Sequence, residues 1–194
     1  MLKRTLFRTI KEASESFPVI LLTGPRQVGK TTLLEAMSGK TRRYVSLDDL
    51  EQRNLAVNDP VLFLQTHTPP VMIDEVQHAP GLFPYIKMHV DRHKRPGDFW
   101  LTGSQKFHLM KGVRETMAGR AAIIDLLGLS YSEMTGLAGK SAPFLPSAEH
   151  VRRKGGKTRD PLTAADLYRI IFNGSFPGLY VNDYKNRELF YSSY

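Results

Sequence analysis

Residues 19–23, VILLT, form a short apolar run that is rich in β-branched side chains and is followed directly by a glycine. Such a run predicts a strand that is buried on both faces. Residues 24–31 match the pattern G-x-x-x-x-G-K-[ST] at every fixed position, and helical sequence continues to Gly39, where a helix end is favoured. A buried strand, a glycine-bounded loop and a helix in this order predict an α/β fold with a parallel sheet.

Strands and helical segments alternate over residues 1–138. Strands are predicted at 19–23, 44–47, 71–74, 99–103 and 121–127. Helices are predicted at 2–14, 30–39, from Asp48-Asp49 onward, and at 59–67, 82–93, 105–118 and 131–138. This alternation predicts a five-stranded parallel sheet with helices on both faces, whose ligands bind beyond the carboxyl ends of the strands.

The remaining residues differ in composition from the first 138. Residues 139–160 are rich in Gly, Pro, Ser and basic side chains, which predicts a flexible basic linker. Residues 161–194 begin a second, helical region, with Thr163 able to cap a helix that runs to Phe172. Because the sequence stops within an aromatic, helix-like pattern, we expect that the natural protein continues.

Cysteine content and charge narrow the class of protein. The chain has no cysteine, which excludes disulfides, thiolate nucleophiles and cysteine-ligated metals. No apolar stretch reaches the length of a membrane span, and the N-terminus lacks the apolar core of a secretion signal, so we expect a cytoplasmic protein with no membrane partner. The net charge of +8 is consistent with a nucleic-acid partner, or with cations that serve a nucleotide site together with a basic linker.

The glycine-bounded loop has the chemistry of a triphosphate site. Its backbone N–H groups can surround a polyanion, and Gly24 and Gly29 permit the required bend. Lys30 would supply a positive charge to the β- and γ-phosphates of ATP, and the Thr31 hydroxyl would bind Mg²⁺. Arg26 would either anchor the loop or serve as an ordinary surface residue. The predicted nucleotide-binding residues are Gly24, Pro25, Arg26, Gln27, Val28, Gly29, Lys30 and Thr31.

An acidic pair follows the third predicted strand. Asp74 ends the apolar run 71–74, where a carboxylate can bind Mg²⁺. Glu75 would then lie beside the γ-phosphate and could activate the attacking water. Taken alone, an apolar run followed by two acids is equally typical of a solvated turn. The chain lacks the Asn-Lys-x-Asp motif of GTPases, so ATP hydrolysis is the preferred reaction.

Three further groups of polar residues are candidates for supporting roles. Ser104 or Gln105 could contact the γ-phosphate or orient water, or could cap the next helix. Arg120 could reach a γ-phosphate as a finger, within the chain or on a neighbour, or could form a surface ion pair. His89 and His93 have the spacing of a zinc pair, but a solvated helix face is favoured because no metalloprotease Glu stands between them.

The combination of several motifs resembles a group of prokaryotic AAA-type P-loop ATPases. These motifs are GPRQVGKTTL, VSLDD, VMIDEVQ, LTGSQ and MAGR followed by LLGLSYSE, with NGSFPGLY leading toward a second domain. The resemblance implies strand order 5-1-4-3-2 and adds Thr32 to the residues that contact ATP. It also implies magnesium and water roles for Asp74 and Glu75, a sensor role for Ser104 and a finger role for Arg120.

In that family the ATPase domain precedes a C-terminal domain of unassigned function that is sometimes compared to restriction-type nucleases. The resemblance therefore allows a homo-oligomer, or a protein partner that is bound through the missing C-terminal region. Two alternatives to a plain magnesium-dependent ATPase stay open. One is an ATP-operated switch that hydrolyses slowly, and the other is a DNA-associated ATPase, which the charge would favour.

Overall fold

The structure is a computed structural model that describes residues 2–39, 42–104, 116–139, 147–149, 152, 162–181 and 187–193. The chain divides into two compact units. The first is Thr5–Gly128, and the second combines Leu129–Tyr194 with Met1–Arg4.

The first unit is built on one parallel sheet. Its strands are β1 (Val19–Gly24), β2 (Arg43–Ser46), β3 (Val71–Asp74), β4 (Phe99–Ser104) and β5 (Ala121–Asp125). They lie in the order β5-β1-β4-β3-β2, and every neighbouring pair is parallel. The predicted α/β class and the predicted strand order 5-1-4-3-2 are therefore confirmed.

One helix precedes the first strand, and the others lie between strands. They are α1 (Leu6–Ser14), α2 (Lys30–Ser38), α3 (Leu50–Asn58), α4 (Pro60–Thr66) and α5 (Leu82–His93), with a 3₁₀ turn at Val76–His78. Asp49 caps α3 by accepting hydrogen bonds from the backbone of Glu51 and Gln52, and Asp59 caps α4 in the same way. These carboxylates satisfy N–H groups that have no partner inside the helix.

Both faces of strand β1 are covered. All six residues of β1 are buried, and successive residues of a strand point to opposite faces. Val19 and Leu21 belong to the main cluster of buried hydrophobic residues, whereas Ile20 and Leu22 are fully buried outside it. The glycine-bounded loop leaves the sheet at the carboxyl end of this buried strand.

The second unit contains short helices. They are α6 (Tyr131–Met134), α7 (Ala164–Asn173), α8 (Gly178–Val181) and α9 (Arg187–Ser192). Thr163 caps α7 through its hydroxyl, which confirms the predicted cap. Helix α6 is shorter than the predicted 131–138, because Gly136 has a left-handed backbone with φ of 72° and ends the helical path.

Some predicted features fall outside the part of the chain that the structure describes. They are Gln105, most of the predicted helical stretch 105–118 and most of the predicted linker 139–160. Among the described residues, no helix combines the length and the apolar character that a membrane crossing requires.

Candidate functional site

The two glycines of the loop are needed for different physical reasons. Gly24 ends β1 with φ of 146°, and a Cβ atom there would lie 2.1 Å from the backbone oxygen of Leu126. Gly29 has φ of 87° and precedes α2, but a Cβ there would meet nothing within 4 Å. Gly24 is therefore required by its backbone angle and also by close packing against the chain after β5, whereas Gly29 is required by its left-handed backbone alone.

Lys30 is the first residue of α2 and lies almost entirely inside the loop. Its side chain is 6% exposed, and its Nζ donates hydrogen bonds to the carbonyl oxygens of Gly24 (3.1 Å) and Pro25 (2.8 Å). Burial lowers the pKa of the ammonium group, against the opposite effects of Glu75 and Asp74. The loop therefore surrounds a cation whose present partners are neutral carbonyl groups.

Asp74 ends β3 and is the most heavily hydrogen-bonded carboxylate of the site. The Thr31 hydroxyl donates to its two oxygens at 3.0 and 3.1 Å. The Thr102 hydroxyl donates to Oδ1, and the Tyr44 hydroxyl donates to Oδ2 at 3.1 Å. Strands β2 and β4 and helix α2 thus each contribute a hydroxyl to the one carboxylate at the end of β3.

Tyr44 and Thr102 are contacts of Asp74 that sequence reasoning missed. Burial of the phenol and the neighbouring Asp74 carboxylate raise the pKa of Tyr44 to about 12, which keeps the hydroxyl protonated as a donor. Thr102 lies in the quoted LTGSQ motif, so a signal was available for that residue. No sequence signal marks Tyr44, because its contact depends on the pairing of β2 with β3.

Glu75 follows β3 in a left-handed backbone conformation with φ of 55°. Its N–H donates to the Thr102 hydroxyl at 3.1 Å, and its side-chain Oε2 accepts a hydrogen bond from the Gln77 amide. A positive φ is uncommon outside glycine and here turns the chain sharply at the end of the strand. The turn brings the side chain of Glu75 to the wall of the cavity beside the loop.

Ser104 lies where the sequence predicted it, at the carboxyl end of β4 and in register with Gly24. Its backbone N–H donates to the Gln77 Oε1 at 3.4 Å. The predicted alternative to Ser104, Gln105, lies outside the described residues.

A cavity of about 470 Å³ opens between the loop and the end of β3. Its lining residues are Arg26, Gln27, Gly29, Lys30, Thr31, Thr32, Asp48, Glu75 and His78. Two of these, Asp48 and His78, were not predicted as site residues, and they face each other with a carboxylate–imidazole distance of 3.4 Å. The sequence placed Asp48 at a helix start, although Asp49 alone caps α3.

The other loop residues differ in their surroundings. Arg26 and Thr32 line the cavity, as does Gln27, which has φ of 59°. Val28 is only 1% exposed, so its side chain packs into the protein, and its predicted nucleotide contact could involve the backbone alone. Pro25 contributes the carbonyl oxygen that accepts from Lys30.

The structure does not bring Arg120 into the site of its own chain. Arg120 directly precedes β5, and its carbonyl oxygen accepts from the N–H of Val19 at the opposite end of β1 from the loop. That strand separates Arg120 from Gly24 by roughly 17 Å at about 3.3 Å per residue. The guanidinium instead forms two hydrogen bonds with Asp91, at 2.5 and 3.1 Å. This placement does not support a finger role for Arg120 within its own chain.

His89 and His93 stack on each other in α5 with ring centroids 4.1 Å apart. His89 Nε2 lies 3.3 Å from a carboxylate oxygen of Asp98, and His93 Nδ1 lies 2.9 Å from the backbone oxygen of His89. No group of three or more His, Asp or Glu side chains within the described ranges could hold a metal ion.

The chain is similar to known proteins in sequence and in fold. The sequence profile of a family described as an AAA domain matches residues 16–135. Uncharacterised proteins of Mycobacterium bovis and Mycobacterium tuberculosis are each 36% identical over 135 residues, which is 68% of this chain and 30% of each relative. The chain thus spans less than a third of the length of these relatives.

A solved structure is similar to this fold. The Walker-type ATPase of Pyrococcus abyssi aligns with a TM-score of 0.55 at 16% identity, over 93% of this chain and 66% of that one. At that identity the likeness concerns the fold alone. The family profile covers more than half of the chain. The chain therefore belongs to the AAA domain family and carries a P-loop ATPase domain of the AAA type.

Proposed function

We propose that this chain binds ATP with Mg²⁺ and hydrolyses it at the carboxyl edge of its sheet. The observation that carries the proposal is the contact of the Thr31 hydroxyl with the Asp74 carboxylate, at 3.0 and 3.1 Å, beside a cavity that Lys30 and Glu75 also line. A cation in the loop, a hydroxyl and two carboxylates lie together at the carboxyl ends of the strands. The transfer of a phosphoryl group to water needs such a set of groups.

The donor atoms at this edge fit Mg²⁺. A carboxylate from Asp74 and a hydroxyl from Thr31 are hard oxygen ligands, and Mg²⁺ uses one or two such groups together with phosphates and waters. These two residues would hold the ion. When bound with the nucleotide, Mg²⁺ supplies positive charge that offsets the negative charge of the β- and γ-phosphates.

Lys30 would exchange its partners when ATP binds. Its hydrogen bonds to the Gly24 and Pro25 carbonyl oxygens are local and neutral. A phosphate oxygen is a charged acceptor and makes a stronger, charge-assisted hydrogen bond. The helix that begins at Lys30 directs its positive end to the same place. Residues 24–32 would therefore bind the phosphates with backbone N–H groups and one ammonium.

Glu75 would act as the general base. Its side chain lines the cavity beside Lys30 and Thr31, so it lies near the place where a γ-phosphate would be bound. A carboxylate there can accept the proton of the attacking water as the water attacks phosphorus and the bridging bond to ADP breaks. Ser104, at the end of the neighbouring strand β4, would sense the γ-phosphate.

The test is ATP turnover and ATP affinity, measured with Mg²⁺ and with EDTA. We expect turnover only with Mg²⁺. Lys30→Ala should weaken ATP binding about 10- to 100-fold, because a charged hydrogen bond is worth about 1.5–3 kcal/mol. Glu75→Gln should keep ATP affinity and lower kcat by about 10²- to 10⁴-fold, the usual contribution of a general base.

Lys11→Ala and Glu51→Gln are matched controls at exposed positions of α1 and α3. They should leave both quantities unchanged. Equal ATP affinity in Lys30→Ala would contradict the phosphate site, and equal turnover in Glu75→Gln would contradict the base.

The net charge of +8 motivates one variant of this function, a DNA-associated ATPase. Turnover should then rise when DNA is added, and DNA binding should weaken steeply with salt. Tight ATP binding with very slow turnover, unaffected by DNA, would instead favour the switch.

A further inference from the structure

Gln77 connects two residues of the proposed active site through one amide group. Its Nε2 donates to the Oε2 atom of Glu75, and its Oε1 accepts from the backbone N–H of Ser104 at 3.4 Å. The half-buried side chain thus spans the gap between the end of β3 and the end of β4. The proposed ATPase chemistry assigns no role to it.

The two contacts fix which way the amide faces. A carboxylate can only accept hydrogen bonds, and a backbone N–H can only donate one. If the amide were flipped, its oxygen would face the Glu75 carboxylate and its NH₂ group would face the Ser104 N–H. Both contacts would then be repulsive, so the amide has a single favourable orientation between its two partners.

The backbone around Gln77 is held in place. Val76 is fully buried, and Gln77 lies in the 3₁₀ turn Val76–His78 that packs against the sheet. The N–H of Glu75 is bonded to the Thr102 hydroxyl, which also donates to Asp74. The anchored turn leaves the Glu75 side chain as the flexible part, and a Glu side chain has several rotatable bonds.

We propose that Gln77 is a positioning residue that holds the Glu75 carboxylate for water activation and couples it to the end of β4. The inference rests on the proposed role of Glu75 as general base. The Gln77 amide binds one carboxylate oxygen, and the second oxygen can accept the proton of water. Because Ser104 N–H holds the other end of the amide, a shift at the γ-phosphate sensor would change the position of the base.

Two substitutions of Gln77 separate its donor from its acceptor. Gln77→Glu keeps the size and the acceptor toward Ser104 but places a second carboxylate against Glu75. Gln77→Ala removes both contacts. We expect both to lower kcat at least about tenfold, since correct orientation of a catalytic group contributes rate factors of this order or more. The KM and the Kd for ATP should stay within about twofold, since Gln77 does not line the cavity.

Single-turnover rates with excess protein extend the test to slow variants. If Gln77 acts through Glu75, the double variant Glu75→Gln, Gln77→Ala should be no slower than Glu75→Gln alone, because residues that act as a unit are not additive. Gln65→Glu, at an exposed position of α4, is the matched control for the added charge and should leave kcat unchanged.

The outcomes are distinct. Unchanged kcat in Gln77→Glu and Gln77→Ala overturns the inference while leaving the ATPase proposal intact. A raised KM with unchanged kcat, or a double variant slower than Glu75→Gln, also overturns it. Absence of turnover in the natural chain refutes the proposed hydrolysis itself, and the role of Gln77 falls with it. Lowered kcat with unchanged ATP affinity and no further loss in the double variant supports the inference.

Discussion

At the scale of single residues, the two glycines of the phosphate loop show that one motif combines two constraints. The sequence pattern assigns the same reason to both, namely a bend around a polyanion. In the structure, Gly24 is enclosed by the backbone of Leu126, whereas Gly29 faces open space. Gly24 therefore serves the packing of β1 against the chain that follows β5, and Gly29 serves the shape of the site.

This difference predicts that a substitution of Gly24 mainly lowers the stability of the fold, whereas a substitution of Gly29 mainly lowers ATP affinity. Gly24→Ala should destabilise the fold by about 2 kcal/mol or more, because a rigid backbone atom opposes the new methyl group. Gly29→Ala should cost only about 1–2 kcal/mol, the strain of a left-handed backbone in a residue with Cβ. Urea unfolding measures both.

The two free energies of unfolding decide the comparison. An equal loss of stability in Gly24→Ala and Gly29→Ala would contradict the packing role of Gly24. ATP affinity, measured under conditions where each variant is folded, should fall in Gly29→Ala because the loop must relax away from the phosphate geometry.

At the scale of elements, helix α5 shows how burial competes with a charged partner. His89 lies 3.3 Å from the Asp98 carboxylate, packs edge-on against Phe99 and stacks on His93. Burial lowers the pKa of His89 below its ordinary value of 6.5, against the opposite effect of Asp98. The contacts with Asp98 and Phe99 pack His89 into the fold, and among the described residues no third His, Asp or Glu completes a metal site with His89 and His93.

The lowered pKa of His89 gives a stability that depends on pH. The unfolded chain binds the proton more readily, so this contribution is complete above pH 6.5 and is lost as the pH falls toward the lower pKa of the folded chain. Thermal unfolding at about pH 7.5 and about pH 5 should show a smaller fall in Tm for His89→Gln than for the natural chain.

Glutamine retains a hydrogen-bond donor toward Asp98 but does not titrate. His67, whose pKa burial also lowers, is present in both proteins and cancels in the comparison. An equal fall in Tm would contradict the assignment to His89.

At the scale of the whole molecule, the order of the strands decides which residues meet. Strands β1, β3 and β4 are neighbours in the sheet, although the chain visits them far apart, and their carboxyl ends bring together Lys30, Asp74, Glu75 and Ser104. The same topology places Arg120 at the amino ends of the strands, where its guanidinium pairs with Asp91. A finger role on a neighbouring chain, a protein partner and a cytoplasmic location stay predictions from the sequence.

This placement predicts the behaviour of Arg120→Ala. In dilute solution, its kcat and KM for ATP should stay within about twofold of the natural values, because an exposed ion pair remote from the site contributes little. Turnover per chain measured over a range of protein concentrations is the assay. A loss of turnover at the lowest concentration would contradict the placement, whereas a loss confined to high concentration would point to action between chains.

The sequence by itself determined the local features of this protein. Hydrophobic period, glycine conformation and capping chemistry act over a few residues and account for these local features. They are the strand, loop and helix around residues 19–39, the end of β3 at Asp74, the span of α5 and the cap at Thr163. The strand order came from resemblance to known ATPases, since no local pattern fixes the lateral order of parallel strands.

Only the tertiary structure decided the contacts between strand ends. The folded structure places the hydroxyl groups of Tyr44 and Thr102 against Asp74. It also places Gln77 against both Glu75 and Ser104. Arg120 lies away from the site and pairs with Asp91. The contact of Gln77 with Glu75 is local, because the two residues lie two positions apart. The other placements share one physical reason. They depend on which strands are neighbours and on their register, and residues that are far apart along the chain meet only after the sheet has formed.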